Sequence, residues 1–92
     1  MRTYIIERDI PGVGTLEREQ YKAAAAKSNE ALAQLAPKVQ WVESFVAGDK
    51  TFCVYLADGE DAIREHAAIS GFPATKITEI KRKIDPTTQR TG

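Results

Sequence analysis

The segment VQWVESFVAGDKTFCVYLA, residues 39–57, decides the fold because it contains two runs of β-branched and aromatic residues around a short polar connection. Two such runs joined through Gly48 and Asp49 are typical of a β-hairpin. Val39–Val46 and Thr51–Ala57 are therefore predicted to be neighbouring antiparallel strands, with further elements on either side of them in the chain.

Before the hairpin, the sequence predicts one strand and one long helix. Arg2–Arg8 is rich in aromatic and β-branched residues and is closed by the turn-forming segment Pro11–Gly14. Thr15 is a suitable N-cap for a helix from about Leu16 to Leu35. Small and apolar residues recur on one helix face at i, i+3 and i+4 spacing, namely Tyr21, Ala24, Ala25, Ser28, Ala31, Leu32 and Leu35. This stripe predicts close packing of the helix against a sheet.

After the hairpin, Asp58 is a suitable N-cap for a second helix, and Gly71 is the glycine expected just beyond its last turn. The inner face of this helix is predicted to consist of Ala62, Ile63, His66, Ile69 and Ser70. Ile77–Ile84 is the last predicted strand. The order β-α-β-β-α-β predicts one ferredoxin-like α+β domain over residues 1–85, a four-stranded antiparallel sheet in the order 4-1-3-2 with both helices on one face. Residues 86–92 are predicted to be a mobile tail.

Charge and composition narrow the classes of function. The 92 residues contain 13 basic and 13 acidic side chains, and this balance disfavours nucleic-acid binding, which usually needs a basic excess. No apolar run approaches the roughly 18 residues of a membrane helix, and the charged start does not resemble a signal peptide. The single cysteine, Cys53, fits a reducing compartment. We therefore expect a cytoplasmic protein with neither a nucleic-acid nor a membrane partner.

The two faces of the sheet are predicted from strand alternation. On the third strand, the more apolar alternate set is expected to lie under the helices, namely Phe52, Val54 and Leu56. Cys53 and Tyr55 then point to the helix-free face. On the first strand, Tyr4 and Ile6 are expected in the core, which leaves Thr3, Ile5 and Glu7 on the helix-free face. A three-residue hairpin loop, residues 48–50, is favoured because a one-residue slip would bury Glu43 without a partner. In this register Phe45 pairs with Cys53, and Glu43 pairs with Tyr55.

The helix-free face would then gather acidic, thiol and aromatic side chains, namely Glu7, Trp41, Glu43, Phe45, Cys53 and Tyr55. Carboxylates, a thiol and a phenol are plausible ligands for a borderline divalent metal ion. The same face is also a plausible homodimer interface with satisfied polar groups. The only histidine, His66, is either a hydrogen-bonded core residue or a ligand that reaches Cys53 near the sheet edge or through a second subunit.

Six blocks of sequence resemble one known family. They are Ile6–Arg8 with Pro11-Gly12, Trp41-Val42 with Ser44–Val46, Asp49–Tyr55, Ile63–Ala67, Gly71–Ala74 and Ile84–Thr88. Together they resemble the small bacterial nickel-responsive, nickel-binding proteins, a family of uncharacterised domains. The resemblance implies a dimeric ferredoxin-like fold and a nickel site, with Glu7, Cys53, Tyr55 and His66 at matching positions. Relatives often carry histidine where this chain has Glu43, so its site would be richer in oxygen and would admit manganese, zinc or cobalt more readily.

The leading interpretation is a cytoplasmic homodimer that binds nickel, or another divalent metal, in nickel sequestration or response. Its predicted ligands are Glu7, Glu43, Cys53, His66 and Tyr55, and the two copies are expected to meet through the helix-free face. Two alternatives remain open. The first is a dimeric α/β-barrel enzyme, a cofactor-free isomerase or monooxygenase, which would need a deep apolar pocket containing Tyr55 and Trp41. The second is a protein-interaction module.

Overall fold

The computed structural model describes residues 1–90. Its main elements are β1 Arg2–Asp9, α1 Arg18–Leu35, β2 Val39–Val46, β3 Lys50–Ala57, α2 Glu60–Ser70 and β4 Lys76–Ile80. Short 3-10 helices cover Val13–Thr15 and Pro86–Arg90. The strands form one antiparallel sheet in the order β2-β3-β1-β4, which is the predicted 4-1-3-2 order read from the opposite edge. The predicted α+β architecture is confirmed. No helix in the described part of the chain is long and apolar enough to cross a membrane.

Both helices begin slightly later than predicted. The N-cap of α1 is Glu17, whose backbone N–H donates to the side-chain oxygen of Gln20 at 2.9 Å. Thr15 is not the cap, because its hydroxyl donates instead to the carbonyl of Gly12 at 2.8 Å within the preceding turn. The N-cap of α2 is Gly59 rather than the neighbouring aspartate. The glycine predicted beyond α2 is confirmed, since Gly71 has φ 80° and its N–H donates to a carbonyl of the last turn at 2.9 Å.

The chain after α2 differs from the prediction at its end. β4 stops at Ile80 and not at Ile84. Ile80 pairs with Thr3, close to the first residue of β1, so residues after Ile80 have almost no strand beside them to pair with. The residues of the predicted mobile tail include Pro86–Arg90, which form a 3-10 helix, whereas residues 91–92 lie outside the described part of the chain.

The predicted orientation of β3 is wrong, although that of β1 is confirmed. Tyr4 and Ile6 of β1 are buried under the helices, and they pair with Tyr55 and Cys53 of β3. Antiparallel partners point to the same side of a sheet, so this register places Cys53, Tyr55 and the fully buried Ala57 under the helices as well. The opposite set lies half-buried on the helix-free face, namely Phe52, Val54 and Leu56.

The hairpin register is also one residue away from the prediction. Phe45 pairs with Phe52 rather than with Cys53, and the backbone N–H of Ala47 donates to the carbonyl of Lys50 at 2.8 Å. An irregularity between Trp41 and Glu43 then changes the face to which β2 side chains point. Trp41 consequently packs against the core on the helix side, whereas Glu43 and Phe45 stay on the helix-free face as predicted.

Gly14 is required where the 3-10 turn meets the hairpin. Its N–H donates to the carbonyl of Gly48 at 2.9 Å, and a Cβ at this position would lie 2.5 Å from the carbonyl oxygen of Ala47. We expect Gly14→Ala to destabilise the fold by about 1–3 kcal/mol, because the backbone of the hairpin would have to move. Urea denaturation measures this change.

Gly48→Ala is the matched control on the other side of that contact, because a Cβ at Gly48 meets nothing within 4 Å. Its free energy of unfolding should change by less than about 1 kcal/mol. Equal effects of the two substitutions would contradict the steric argument.

Candidate functional site

A cavity of about 630 Å³ lies between α1 and the sheet. Five of its buried lining residues come from β1, β3 and α1, namely Arg8, Ser28, Thr51, Cys53 and Tyr55. The 3-10 turn and the segment after α2 contribute further walls through Val13 and Phe72. Ligand pockets usually measure about 300–1,000 Å³, so the cavity is large enough for a small organic molecule. It lies within a single chain, and its lining includes Tyr55 and Trp41, the two residues that the enzyme alternative placed in a pocket.

Arg8 is the most unusual residue of the cavity wall, because it is charged and only 2% exposed. Its Nη1 donates to the carbonyl of Pro73 at 2.8 Å and to that of Phe72 at 3.4 Å. Its Nη2 donates to the Tyr55 hydroxyl at 3.4 Å. All of these acceptors are neutral, and within residues 1–90 no carboxylate forms an ion pair with Arg8.

His66 lies next to this group on the inner face of α2. It is 1% exposed, its Nε2 lies 3.2 Å from the Ser28 hydroxyl, and its ring centroid lies 5.3 Å from that of Tyr55. Its Nδ1 has no hydrogen-bond partner among the residues that the structure describes. Burial and, secondarily, the positive charge of Arg8 lower the pKa of His66, so the imidazole is neutral near pH 7. Burial also raises the pKa of Tyr55, and Arg8 opposes that rise.

Cys53 of β3 and Trp41 of β2 line the cavity where these two strands meet. Cys53 is 5% exposed, and its thiol lies 3.6 Å from the Thr51 hydroxyl. The indole N–H of Trp41 donates to the hydroxyl of Ser44 at 2.9 Å. Both side chains were predicted on the helix-free face, and in both cases the prediction is wrong.

The five predicted metal ligands fall into two separate groups. Cys53, Tyr55 and His66 lie on the helix side of the sheet, whereas Glu7 and Glu43 lie on the helix-free side. The two glutamates are themselves on β1 and β2, with β3 between them. In the described part of the chain, no group of three or more His, Cys, Asp or Glu side chains is placed to hold a metal ion. One copy of the chain therefore does not bring the predicted ligands together.

The helix-free face carries the largest exposed apolar side chains of the sheet. Phe45 is 57% exposed and Val42 is 53% exposed, and both border a depression that also includes Glu43 and Ile84. The Glu7 carboxylate lies 3.6 Å from the ammonium group of Lys50. An apolar patch with a few charges is typical of a surface that meets a partner.

Arg8 was not recognised as a site residue from the sequence. The relevant signal was present, because Tyr4, Ile6 and Arg8 alternate along β1 and the first two were correctly predicted in the core. Continuing this alternation by one step places a guanidinium inside the protein, where it needs polar partners.

Both the fold and the sequence of the chain resemble those of known proteins. No curated protein matches the chain significantly. The crystal structure of SCO4226 from Streptomyces coelicolor A3(2) matches with a TM-score of 0.74 and 13% identity, over 89% of this chain and 99% of that one. At 13% identity, this match shows that the two proteins share a fold and carries no conclusion about function. Residues 4–80 match the sequence family described as nickel responsive protein SCO4226-like. The chain therefore belongs to the SCO4226-like family of nickel-responsive proteins.

Proposed function

We propose that this protein is a cytoplasmic homodimer that binds nickel and acts in nickel sequestration or response. The observation that carries the proposal is the match of residues 4–80 to a family described as nickel responsive. The exposed apolar patch around Phe45 supports the homodimer, because such a surface is usually covered by a partner. The unpaired thiol of Cys53 is in keeping with a reducing compartment.

We place the metal on the helix-free face, with Glu7 and Glu43 as ligands. A two-fold axis through this face would supply each carboxylate twice, and oxygen donors at a subunit interface could then complete a site that one chain lacks. Carboxylate ligands discriminate weakly between nickel and other divalent ions, so manganese and cobalt should also bind.

Cys53, Tyr55 and His66 form the competing ligand set beneath the helices. The neutral imidazole of His66 is in the protonation state that a metal requires, and imidazole suits nickel. However, the Arg8 guanidinium lies 3.4 Å from the Tyr55 hydroxyl, and its positive charge would repel a divalent cation in a low-dielectric interior. This repulsion favours the outer carboxylates.

Isothermal titration of metal-free protein with NiCl2 tests the proposal. We expect the double variant Glu7→Gln/Glu43→Gln to bind Ni²⁺ at least about tenfold more weakly, because each substitution removes a charged donor. The double variant Cys53→Ser/His66→Gln should stay within about threefold of the unmodified protein.

The control is Glu19→Gln/Glu30→Gln, which removes two exposed carboxylates of α1 without touching the sheet. Unmodified protein that gives no heat above dilution at micromolar to millimolar Ni²⁺ would refute nickel binding. A loss of binding confined to the Cys53/His66 variant would instead move the metal to the interior set.

A further inference from the structure

We propose that the cavity between α1 and the sheet binds a small organic anion with an apolar ring, such as an aromatic carboxylate, whose charged end contacts Arg8. This site is separate from the proposed metal site, because Arg8 lies on the opposite side of the sheet from Glu7 and Glu43. It therefore does not depend on nickel binding.

The first argument is the charge of Arg8. Removing a guanidinium from water is costly unless an opposite charge or strong hydrogen bonds compensate for it. Here Arg8 is 2% exposed and is bonded to two backbone carbonyls and one hydroxyl, with no carboxylate partner among residues 1–90. A planar carboxylate is the group that best matches a guanidinium fork. An anion entering the cavity would supply the missing counter-charge.

The second argument is the charge of the whole cavity lining. Besides Arg8, the lining includes Lys27, whose ammonium group lies 5.4 Å from the centre of the Phe72 ring on the exposed side. The described lining contains no aspartate or glutamate. A cavity with two cations and no acidic group has a positive potential, which attracts anions and repels metal ions.

The third argument is the shape and chemistry of the remaining wall. The lining is mostly apolar, with Val13, Leu16, Trp41 and Phe72 among its larger residues. One buried guanidinium beside a few hydroxyl groups, such as that of Ser28, suits a single negative charge on an apolar body better than a multiply charged phosphate. Aromatic rings in the wall favour a flat ring in the ligand.

A calorimetric titration with 2-naphthoate and with its neutral analogue 2-naphthamide tests the proposal on the intact chain. The unmodified protein should bind the carboxylate at least about tenfold more tightly than the amide, since a hydrogen bond between charged partners is stronger than a neutral one. In Arg8→Met this preference should fall to less than about twofold. Arg2→Met is the matched control. Arg2 lies on the same strand and the same sheet face as Arg8 but at the opposite, exposed end of the strand, so this variant should keep the preference for the carboxylate over the amide.

Two further measurements keep the test decisive if Arg8→Met folds poorly. Ala24 lines the cavity and is half-buried, so Ala24→Phe should fill space and weaken 2-naphthoate binding about tenfold or more without removing any charge. In the unmodified protein, saturating 2-naphthoate should slow alkylation of Cys53, the only cysteine, which also lines the cavity. The proposal is overturned by absent binding at millimolar 2-naphthoate, by equal binding of the amide, or by unchanged binding in folded Ala24→Phe.

Discussion

Acidification from pH 7.5 to pH 5.5 should destabilise the fold through one residue, His66. This histidine is 1% exposed, and burial together with the charge of Arg8 lowers its pKa below the ordinary value of 6.5. In the unfolded chain the imidazole is solvated and takes up a proton near pH 6.5. The unfolded state therefore binds more protons than the folded state just below that pH, and the free energy of unfolding falls.

The sign and the window of this effect follow from linkage. Above pH 6.5 both states hold a neutral imidazole, so His66 contributes no slope. Between pH 6.5 and the lower pKa of the folded state, stability falls by at most about 1.4 kcal/mol per pH unit. Below the folded pKa both states are protonated and the contribution becomes constant. The groups that surround the imidazole, Arg8, Tyr55 and Ser28, supply no negative charge to offset this loss.

Urea denaturation at pH 7.5, 6.5 and 5.5 measures the effect, with His66→Gln as the test variant. Glutamine can still bond to Ser28 but does not titrate, so the variant should lose most of the slope below pH 6.5 while being less stable at pH 7.5. Glu65→Gln, at the exposed neighbouring position, should keep the full slope. Since the chain has one histidine, an unchanged slope in His66→Gln would mean that the buried imidazole is not the titrating group.

The helices and the first strand could be predicted from the sequence because small or apolar residues recur on one face of each with the period of that element. The inner stripe of α1 contains Ser28, Ala31 and Leu35, all of which are buried as predicted. The inner face of α2 contains His66 and Ser70, also buried, and only Ile69 departs from its prediction by being 39% exposed. In the two helices, the residues predicted on the inner face from their spacing are, apart from Ile69, buried or partly buried by the fold.

The third strand could not be oriented from its own sequence because both of its faces are apolar. Phe52, Val54 and Leu56 are larger and more hydrophobic than the alternate set, yet they lie on the helix-free side. The orientation of β3 is decided by its pairing with Tyr4 and Ile6 of β1, which is a long-range property. The irregularity after Trp41 likewise cannot be predicted from the alternation of apolar and polar side chains along β2.

The wrongly predicted orientation of β3 explains why the predicted ligand cluster divides. Reversing β3 moves Cys53 and Tyr55 beneath the helices, where His66 was already expected, and leaves Glu7 and Glu43 behind. The same reversal brings Tyr55 beside Arg8, which makes the interior site suitable for an anion. A change of strand orientation thus changes the expected charge of the ligand and not only the identity of the contacting residues.

Substitution of Phe45 by lysine is expected to dissociate the proposed homodimer. Phe45 is 57% exposed and pairs with Phe52 on the helix-free face, whose other apolar residues include Val54 and Leu56. In a symmetric face-to-face dimer each substitution occurs twice, so Phe45→Lys would bury two unpaired ammonium groups and remove two aromatic contacts. We expect the dimer dissociation constant to rise by at least about a hundredfold, as for the loss of an aromatic hot spot.

Sedimentation velocity at 1–100 µM (on the order of the affinities of many specific complexes) distinguishes the possible outcomes. Ile69→Lys is the control, because Ile69 is 39% exposed on α2 and a charge there does not touch the sheet face. A monomeric unmodified protein, or equal dissociation by both substitutions, would contradict assembly through the helix-free face. In that case the exposed patch would need a different partner, and Glu7 and Glu43 would remain two strands apart without a second copy to complete their site. The location of the proposed nickel site therefore depends on this measurement, whereas the proposed anion binding at Arg8 does not, since its cavity lies within one chain.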